Sequence, residues 1–325
     1  MTMNPDFKII NLDVDRSIAA QPELQSRLQG IVTLNEHQDN LRLWANDEGL
    51  SALRNKLRQF RQEHPEPWLT FVGSGDLHHL TLALLESLQH PAPFTLVLID
   101  NHPDWFCEKP VFHCGNWLSG ALRLPGLQSA RLVGQDSEDL KGHHFWTAPW
   151  PDLCSGRLKI YPYRRQRSLV PLRWSAPVKG VQAWKQTLVG TEFTYQTVDS
   201  LGEIAFFDML AQALQGQRIY LSIDKDCLRE EDALTDWEQG CLSLPGLVHG
   251  IRRLRESCEI IGADVCGERA PTPLKGLAKR LDAGRLQEQT TPAAQVNRLN
   301  EQTNLAILNA FMPKLAVTTE SLCPA

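Results

Sequence analysis

The tightest constraint on this chain is the run Leu96-Val97-Leu98-Ile99-Asp100, four apolar residues without polar alternation, closed by a carboxylate. A strand with one wet face alternates apolar and polar residues. One without alternation must be covered on both faces, as the strands of parallel sheets are. The strand expected over Leu96 to Asp100 therefore needs helices above and below it. Phe7 to Asp13, Trp68 to Val72, Ala130 to Val133, Arg157 to Tyr161, Arg218 to Ile223 and Glu259 to Asp264 also read as strands. Glu48 to Glu63 carries Leu50, Leu53, Leu57 and Phe60 at helical spacing. Leu77 to Leu88, Asn116 to Arg123, Gly202 to Gln215, Leu244 to Ser257 and a last stretch from Thr291-Pro292 to about Phe311 read as further helices. This alternation predicts an α/β chain with a parallel sheet in a single domain, 1–325.

Two stretches do not fit the pattern. Residues 16–40 are polar and Gln-rich, which predicts a surface connection. Residues 140–198 mix His143, Trp146, Trp150, Trp174 and Trp184 with Pro149, Pro151, Pro171 and Pro177. Apart from the strand at Arg157 to Tyr161 they are expected to be irregular, an aromatic and Pro-rich insertion serving as a lid or a subunit surface.

Composition removes several functions. Of 325 residues 42% are hydrophobic, and the net charge is -5. No apolar run reaches membrane length. The longest basic tract, Tyr163-Arg164-Arg165-Gln166-Arg167, is too short for a nucleic-acid footprint. The eight cysteines include no Cys-x-x-Cys pair, which argues against zinc ribbons and dithiol chemistry. They are expected as reduced thiols of a cytoplasmic protein, since Met1 to Asp15 lacks the layout of a secretion signal.

The chemistry gathers at strand ends. Asp100, His102 and Asp104 lie two residues apart, so in extended chain they project to one side. Tyr220-Leu221-Ser222-Ile223-Asp224-Lys225-Asp226 repeats the design, an apolar strand ending in two carboxylates at the same spacing. Four carboxylates brought together would repel and be driven toward protonation unless cations held them ionised. Gly73-Ser74-Gly75-Asp76-Leu77-His78-His79 follows another strand, and Gly262 to Glu268 ends a fourth. Neither is a phosphate-cradling glycine motif.

In this order, Gly75-Asp76-Leu77-His78, Asp100-Asn101-His102-Pro103-Asp104, Ser222-Ile223-Asp224-Lys225-Asp226 and the late strand running to Glu268 resemble the ureohydrolase family. That family comprises arginases, agmatinases, formiminoglutamases and guanidinobutyrases. The resemblance covers Trp68 to Gly134 and Gly202 to Glu268. It implies a three-layer α/β/α sandwich around a mostly parallel, about eight-stranded sheet, with two Mn²⁺ ions at the strand ends. His78 and Asp104 would bind the first ion, His102 and Asp226 the second, and Asp100 and Asp224 would bridge. The implied activity is hydrolysis of a guanidino, amidino or formimino C–N bond by a metal-bridging hydroxide. An oxygen-rich site of carboxylates and imidazoles suits Mn²⁺, and two ions about 3.5 Å apart activate a shared water. His113 would deliver a proton to the leaving amine, and Glu268 would bind the guanidinium. The resemblance further implies a small-molecule partner and suggests a homo-oligomer.

The chain departs from the family pattern in four places. Leu77 stands between Asp76 and His78, so that without a bulge it would take the ligand position, with His79 as the substitute. Lys225 separates the two aspartates. Leu228 to Asp232 replaces the usual Asp-Pro, and Glu268 comes one residue late. Two other readings follow. One is a single-Zn²⁺ deacetylase-type amidohydrolase on a related fold, with His78 and His79 as paired bases and Asp100, His102 and Asp224 as ligands. The other is a non-catalytic protein that keeps the fold for binding or assembly.

Overall fold

The computed structural model describes residues 7–88, 92–107, 109–110, 112–283 and 291–312. Its strands, in chain order, are β1 (Lys8–Asp13), β2 (Gly30–Thr33), β3 (Trp68–Phe71), β4 (Phe94–Ile99), β5 (Leu127–Val133) and β6 (Leu158–Tyr161). There follow β7 (Arg167–Val170), β8 (Ala183–Thr187), β9 (Gly190–Thr194), β10 (Arg218–Asp224) and β11 (Glu259–Cys266). Eight of them form one sheet in the order β2-β1-β3-β11-β10-β4-β5-β6. Every neighbouring pair in it is parallel.

Unalternating hydrophobicity does here what it must. Along β4, Leu96 and Leu98 enter one core layer while Val97 and Ile99 enter the other. The first layer holds Leu53 and Leu57 of the helix Asp47–Glu63, Leu80 to Leu85 of Leu80–Glu86, and Trp117 of Trp117–Ala121. The second holds Phe206 and Leu210 of Glu203–Ala213, Leu247 and Ile251 of Leu244–Ser257, and Ile307 and Leu308 of Ala293–Phe311. Each such side chain, fully buried, contributes roughly 1.5–3 kcal/mol. Two helices begin where side chains cap them: Asn46 accepts from the Gly49 N–H and Ser243 from the Gly246 N–H.

The two difficult stretches are more ordered than their composition suggests. Residues 16–40 contain a short helix, Pro22–Arg27, and the edge strand β2. β2 buries Val32 but leaves Ile31 half exposed, so its four residues carry too little pattern to be read. The stretch 140–198 is not irregular. It holds the helices Gly142–Trp146 and Trp150–Ser155, and the antiparallel sheet β7-β9-β8. Phe145, Trp150, Trp174, Phe193 and Tyr195 form its ring-on-ring core. Prolines at its turns mask the alternation of these strands, which is why the sequence reads there as loop. The β8–β9 hairpin projects Leu188 and Val189 into solvent.

Candidate metal centre

β3, β11, β10 and β4 lie side by side, and the candidate site sits just past their C-terminal ends, where parallel sheets present ligand crevices. After β3 the chain turns at Gly73, φ +109, where a Cβ would lie 2.8 Å from Asp15 Oδ1. A one-turn 3-10 helix, Gly75–Leu77, then absorbs the additional residue. Leu77 goes into the apolar core. Asp76 turns to Arg42, whose guanidinium nitrogens lie 2.9 and 2.7 Å from its Oδ2. His78 is thereby delivered to the strand ends. His79 is fully buried behind it and does not line the cavity.

After β4, the His102 N–H donates to Asp100 Oδ1 at 2.7 Å. Asp104 adopts φ 50, a left-handed conformation that aspartate tolerates better than most residues. Trp117 Nε1 donates to its Oδ2 at 2.6 Å. After β10, the Asp226 N–H donates to Asp224 Oδ1 at 3.0 Å, and Asn101 N–H to Asp226 Oδ1 at 3.2 Å. The 3-10 turn Lys225–Cys227 rotates Lys225 to the opposite side, where its ammonium pairs with Glu268.

The six predicted ligands converge. His78 Nδ1 lies 3.2 Å from Asp100 Oδ2, 3.2 Å from Asp104 Oδ2 and 3.5 Å from Asp224 Oδ2. His102 Nδ1 lies 2.9 Å from Asp226 Oδ2 and 3.8 Å from Asp100 Oδ1. Asp100 thus belongs to both groups, the first with His78 and Asp104, the second with His102 and Asp226.

A hydrogen-bond chain sets the tautomer of His78. Ser222 Oγ donates to the Asp264 carboxylate at 2.8 Å, so it accepts from His78 Nε2, 3.0 Å away. With the proton on Nε2, the Nδ1 lone pair faces the three carboxylates. Even protonated, Nδ1 has one hydrogen for three oxygens, and the buried Asp100 Oδ2 has no hydrogen-bond partner of acceptable geometry. A lone pair facing three carboxylates, with His102 and Asp226 beside Asp100, fits divalent cations.

The electrostatics agree. Burial, then repulsion from Asp104, pushes Asp100 up to about 6; burial, then repulsion from Asp100, does the same to Asp226. Asp104 and Asp224 are raised too, mainly by burial. His78 and His102 are pushed well above the usual imidazole range. Burial opposes their charge, but Cys266, Asp100 and Asp104 around His78, and Asp226 and Asp100 beside His102, outweigh it.

The ligands open into a cavity of about 460 Å³ whose walls include Phe106, Trp237, His144 and His113. Asp139, Asp236, Glu238 and Asp282 give it a strongly acidic lining. A larger cavity, about 850 Å³, lies at the other end of the sheet near Arg54, Arg58 and Arg61, away from these ligands. His113 Nδ1 accepts from the Gly115 N–H at 2.9 Å, leaving the proton on Nε2, 3.0 Å from Asp282 Oδ2. Burial, then the Lys109 and Lys279 ammonium groups, push its pKa down to about 4.

Glu268 is not brought to the cavity. Its carboxylate is engaged by Lys225, by Gln21 Nε2 at 2.9 Å, and by the Asn300 and Asn304 amides at 3.1 and 2.6 Å. Gly267, φ +89, is the cause: it turns the chain below the site, so the guanidinium-binding role expected of Glu268 is not available to it. Three residues beside the ligands escaped sequence reasoning. Ser222 and Asp264 stand in the motifs without a role their spacing could assign, and Cys266 is one of the eight cysteines expected only as reduced thiols.

No family model matches the chain. An uncharacterised protein of Thermotoga maritima is 27% identical over 248 residues, 76% of this chain and 69% of the relative. Among solved structures, an arginase from Bacillus subtilis superposes with TM-score 0.56 and 14% identity, over 96% of this chain and all of that one. The chain has the ureohydrolase fold. A hypothetical agmatinase from Burkholderia thailandensis (TM-score 0.54, 17% identity) covers 95% of this chain and 86% of its own. A formimidoylglutamase from Bacillus subtilis (TM-score 0.53, 10% identity) covers 95% and 88%. On this fold, the parallel sheet and its flanking helices are those expected from the strand and helix pattern, and its eight strands are the number the ureohydrolase resemblance implies.

Proposed function

We propose that this protein is a binuclear manganese hydrolase that cleaves a C–N bond of a guanidino, amidino or formimino small molecule. The carrying observation is the convergence of His78, Asp100, Asp104, Asp224, His102 and Asp226 in three overlapping groups, His78 with Asp100 and Asp104, Asp100 with His102 and Asp226, and His78 with Asp224 and Cys266. In this reading His78, Asp100, Asp104 and Asp224 hold one ion, and Asp100, Asp224, His102 and Asp226 the other. Two bound divalent cations supply an activated water and polarise the substrate. Ser222 and Asp264 keep His78 in its ligating tautomer, and Trp117 anchors Asp104.

The acidic lining favours a cationic substrate by raising its local concentration. Phe106 and Trp237 offer flat apolar walls for a planar group. With Glu268 engaged elsewhere, Asp139, Glu238 and Asp236 are the wall carboxylates left to meet a guanidinium, although Asp236, raised to about 6 mainly by burial, also accepts from the Ala270 N–H at 2.8 Å. His113 is neutral near pH 7, so it would take up the proton released by the attacking water and pass it to the leaving amine.

Two features that favoured an inactive protein lose their force, since Leu77 is in the core and Lys225 faces away from the ligands. The single-Zn²⁺ alternative needs both histidines of the 78–79 pair, and His79 is outside the cavity. Cys114, Cys154 and Cys227 form no disulfide among the described residues, which suits the reducing cytoplasm we assign to it. The test is metal content together with a screen for urea, ammonia and formamide release over guanidino and formimino compounds. Two ions per chain with turnover supports the proposal; a single zinc favours the alternative, and metal-free protein that ignores added Mn²⁺ defeats both.

A further inference from the structure

β11 carries Cys266 directly opposite Asp224 in the sheet register. Its sulfur lies 3.1 Å from Asp224 Oδ2 and is almost fully buried. With His78 and Asp224 it forms a buried group whose ligand atoms all lie within 4.8 Å of one another. An independent observation points to an ion in the adjoining group that shares His78. Asp100 Oδ2, buried and without a hydrogen-bond partner, is 3.2 Å from the same His78 Nδ1. Cations bonded at about 2.1–2.3 Å hold neighbouring donors roughly 3.0–3.5 Å apart. The sulfur–oxygen separation of 3.1 Å and the nitrogen–oxygen separations of 3.2 and 3.5 Å fall in that interval. Gly267 keeps the thiol there: a Cβ at that position would be 2.4 Å from Asp224 Oδ1, and the glycine turn carries the following chain away from the ligands.

We propose that Cys266 is a thiolate ligand of the ion held by His78 and Asp224. This makes that position a mixed sulfur, nitrogen and oxygen site that prefers a softer divalent cation, such as Zn²⁺ or Co²⁺, over Mn²⁺. The inference rests on the binuclear reading and refines it. The group of Asp100, His102 and Asp226 stays an oxygen and nitrogen site suited to Mn²⁺, so the two positions differ in selectivity. A thiol that binds a metal loses its proton to solvent as the ion enters.

The test loads the metal-free full chain with Co²⁺ and records its absorption. Ligation predicts a near-ultraviolet thiolate-to-cobalt charge-transfer band beside the visible d–d bands. The charge-transfer band should vanish in Cys266→Ser and Cys266→Ala while the d–d bands persist. In competition, the preference for Zn²⁺ over Mn²⁺ should fall about tenfold or more in Cys266→Ser. Cobalt d–d bands without charge transfer in the wild type, or a charge-transfer band that survives both substitutions, overturns the thiolate ligand and leaves the hydrolase reading standing. No cobalt binding at all overturns both. If neither variant folds, X-ray absorption of the cobalt-loaded wild type decides: a sulfur neighbour supports the assignment and none overturns it.

Discussion

Asp224 has more assigned to it than any other side chain in the site. One oxygen accepts the Asp226 N–H and the other faces His78 and Cys266. Asp224→Ala should therefore lose both ions and all measurable turnover while the fold persists. Metal content near two per chain in that variant, read by atomic emission, would contradict the assignment. His113→Ala should lower turnover by about 10²–10⁴-fold with metal content intact, the scale of a lost general acid or base. Unchanged turnover returns His113 to a wall residue. The carboxylates also set a pH dependence. Burial raises Asp100 and Asp226 to about 6, so in the metal-free chain they favour folding when protonated. That contribution is full below about pH 4 and is lost as pH rises through 6. Ions require the deprotonated forms, so the sign for metal is opposite. Mn²⁺ retained after equilibrium dialysis should be complete near pH 8 and fall as pH drops through about 6. Full retention at about pH 5 would break the link.

At the scale of elements, the turn after β10 is clamped from below by the Lys225–Glu268 ion pair. Both partners are buried, and Glu268 is tied through Asn300 and Asn304 to the helix Ala293–Phe311. Removing one charge strands the other in the core. Lys225→Met should cost about 3–5 kcal/mol in denaturant unfolding, and the double change Lys225→Met/Glu268→Gln should recover most of it. An equal loss in single and double variants would show that the cost comes from packing instead. This pair also marks where the sequence could be read and where it could not. Period-two spacing suffices to bring Asp100, His102, Asp224 and Asp226 near one another, because they stand at strand exits whose apolar runs are unmistakable; that they bind metal is our proposal. The position of Leu77 depended on a single 3-10 turn, and that of Glu268 on the φ of Gly267; neither leaves a periodic trace. The antiparallel strands β7 to β9 were missed for the same kind of reason. Their pattern is short, broken by proline, and partly exposed along β8.

At the scale of the whole molecule, the tip of the β8–β9 hairpin is one of two strongly exposed apolar features among the described residues, the other being Leu277 and Leu281. Leu188 is fully exposed and Val189 and Leu172 nearly two-thirds so. Such patches are characteristic of association surfaces, and a homo-oligomer built through this hairpin is our reading of it. Leu188→Asp with Val189→Asp should lower the mass found by sedimentation without changing metal content. An unaltered mass would move the subunit contact elsewhere.

The strand order has a consequence for how the chain is made. β3 and β4 never touch in the finished sheet, because β11 and β10 are wedged between them. More than a hundred residues of chain leave the ribosome between the end of β4 and the start of β10. For that interval two hydrophobic strands stand with their inner edges bare, the kind of edge that recruits foreign strands. The last-made pair closes that gap and delivers Asp224 and Asp226 in the same act. On the binuclear reading, metal would enter only once the nascent protein is past its most aggregation-prone stage.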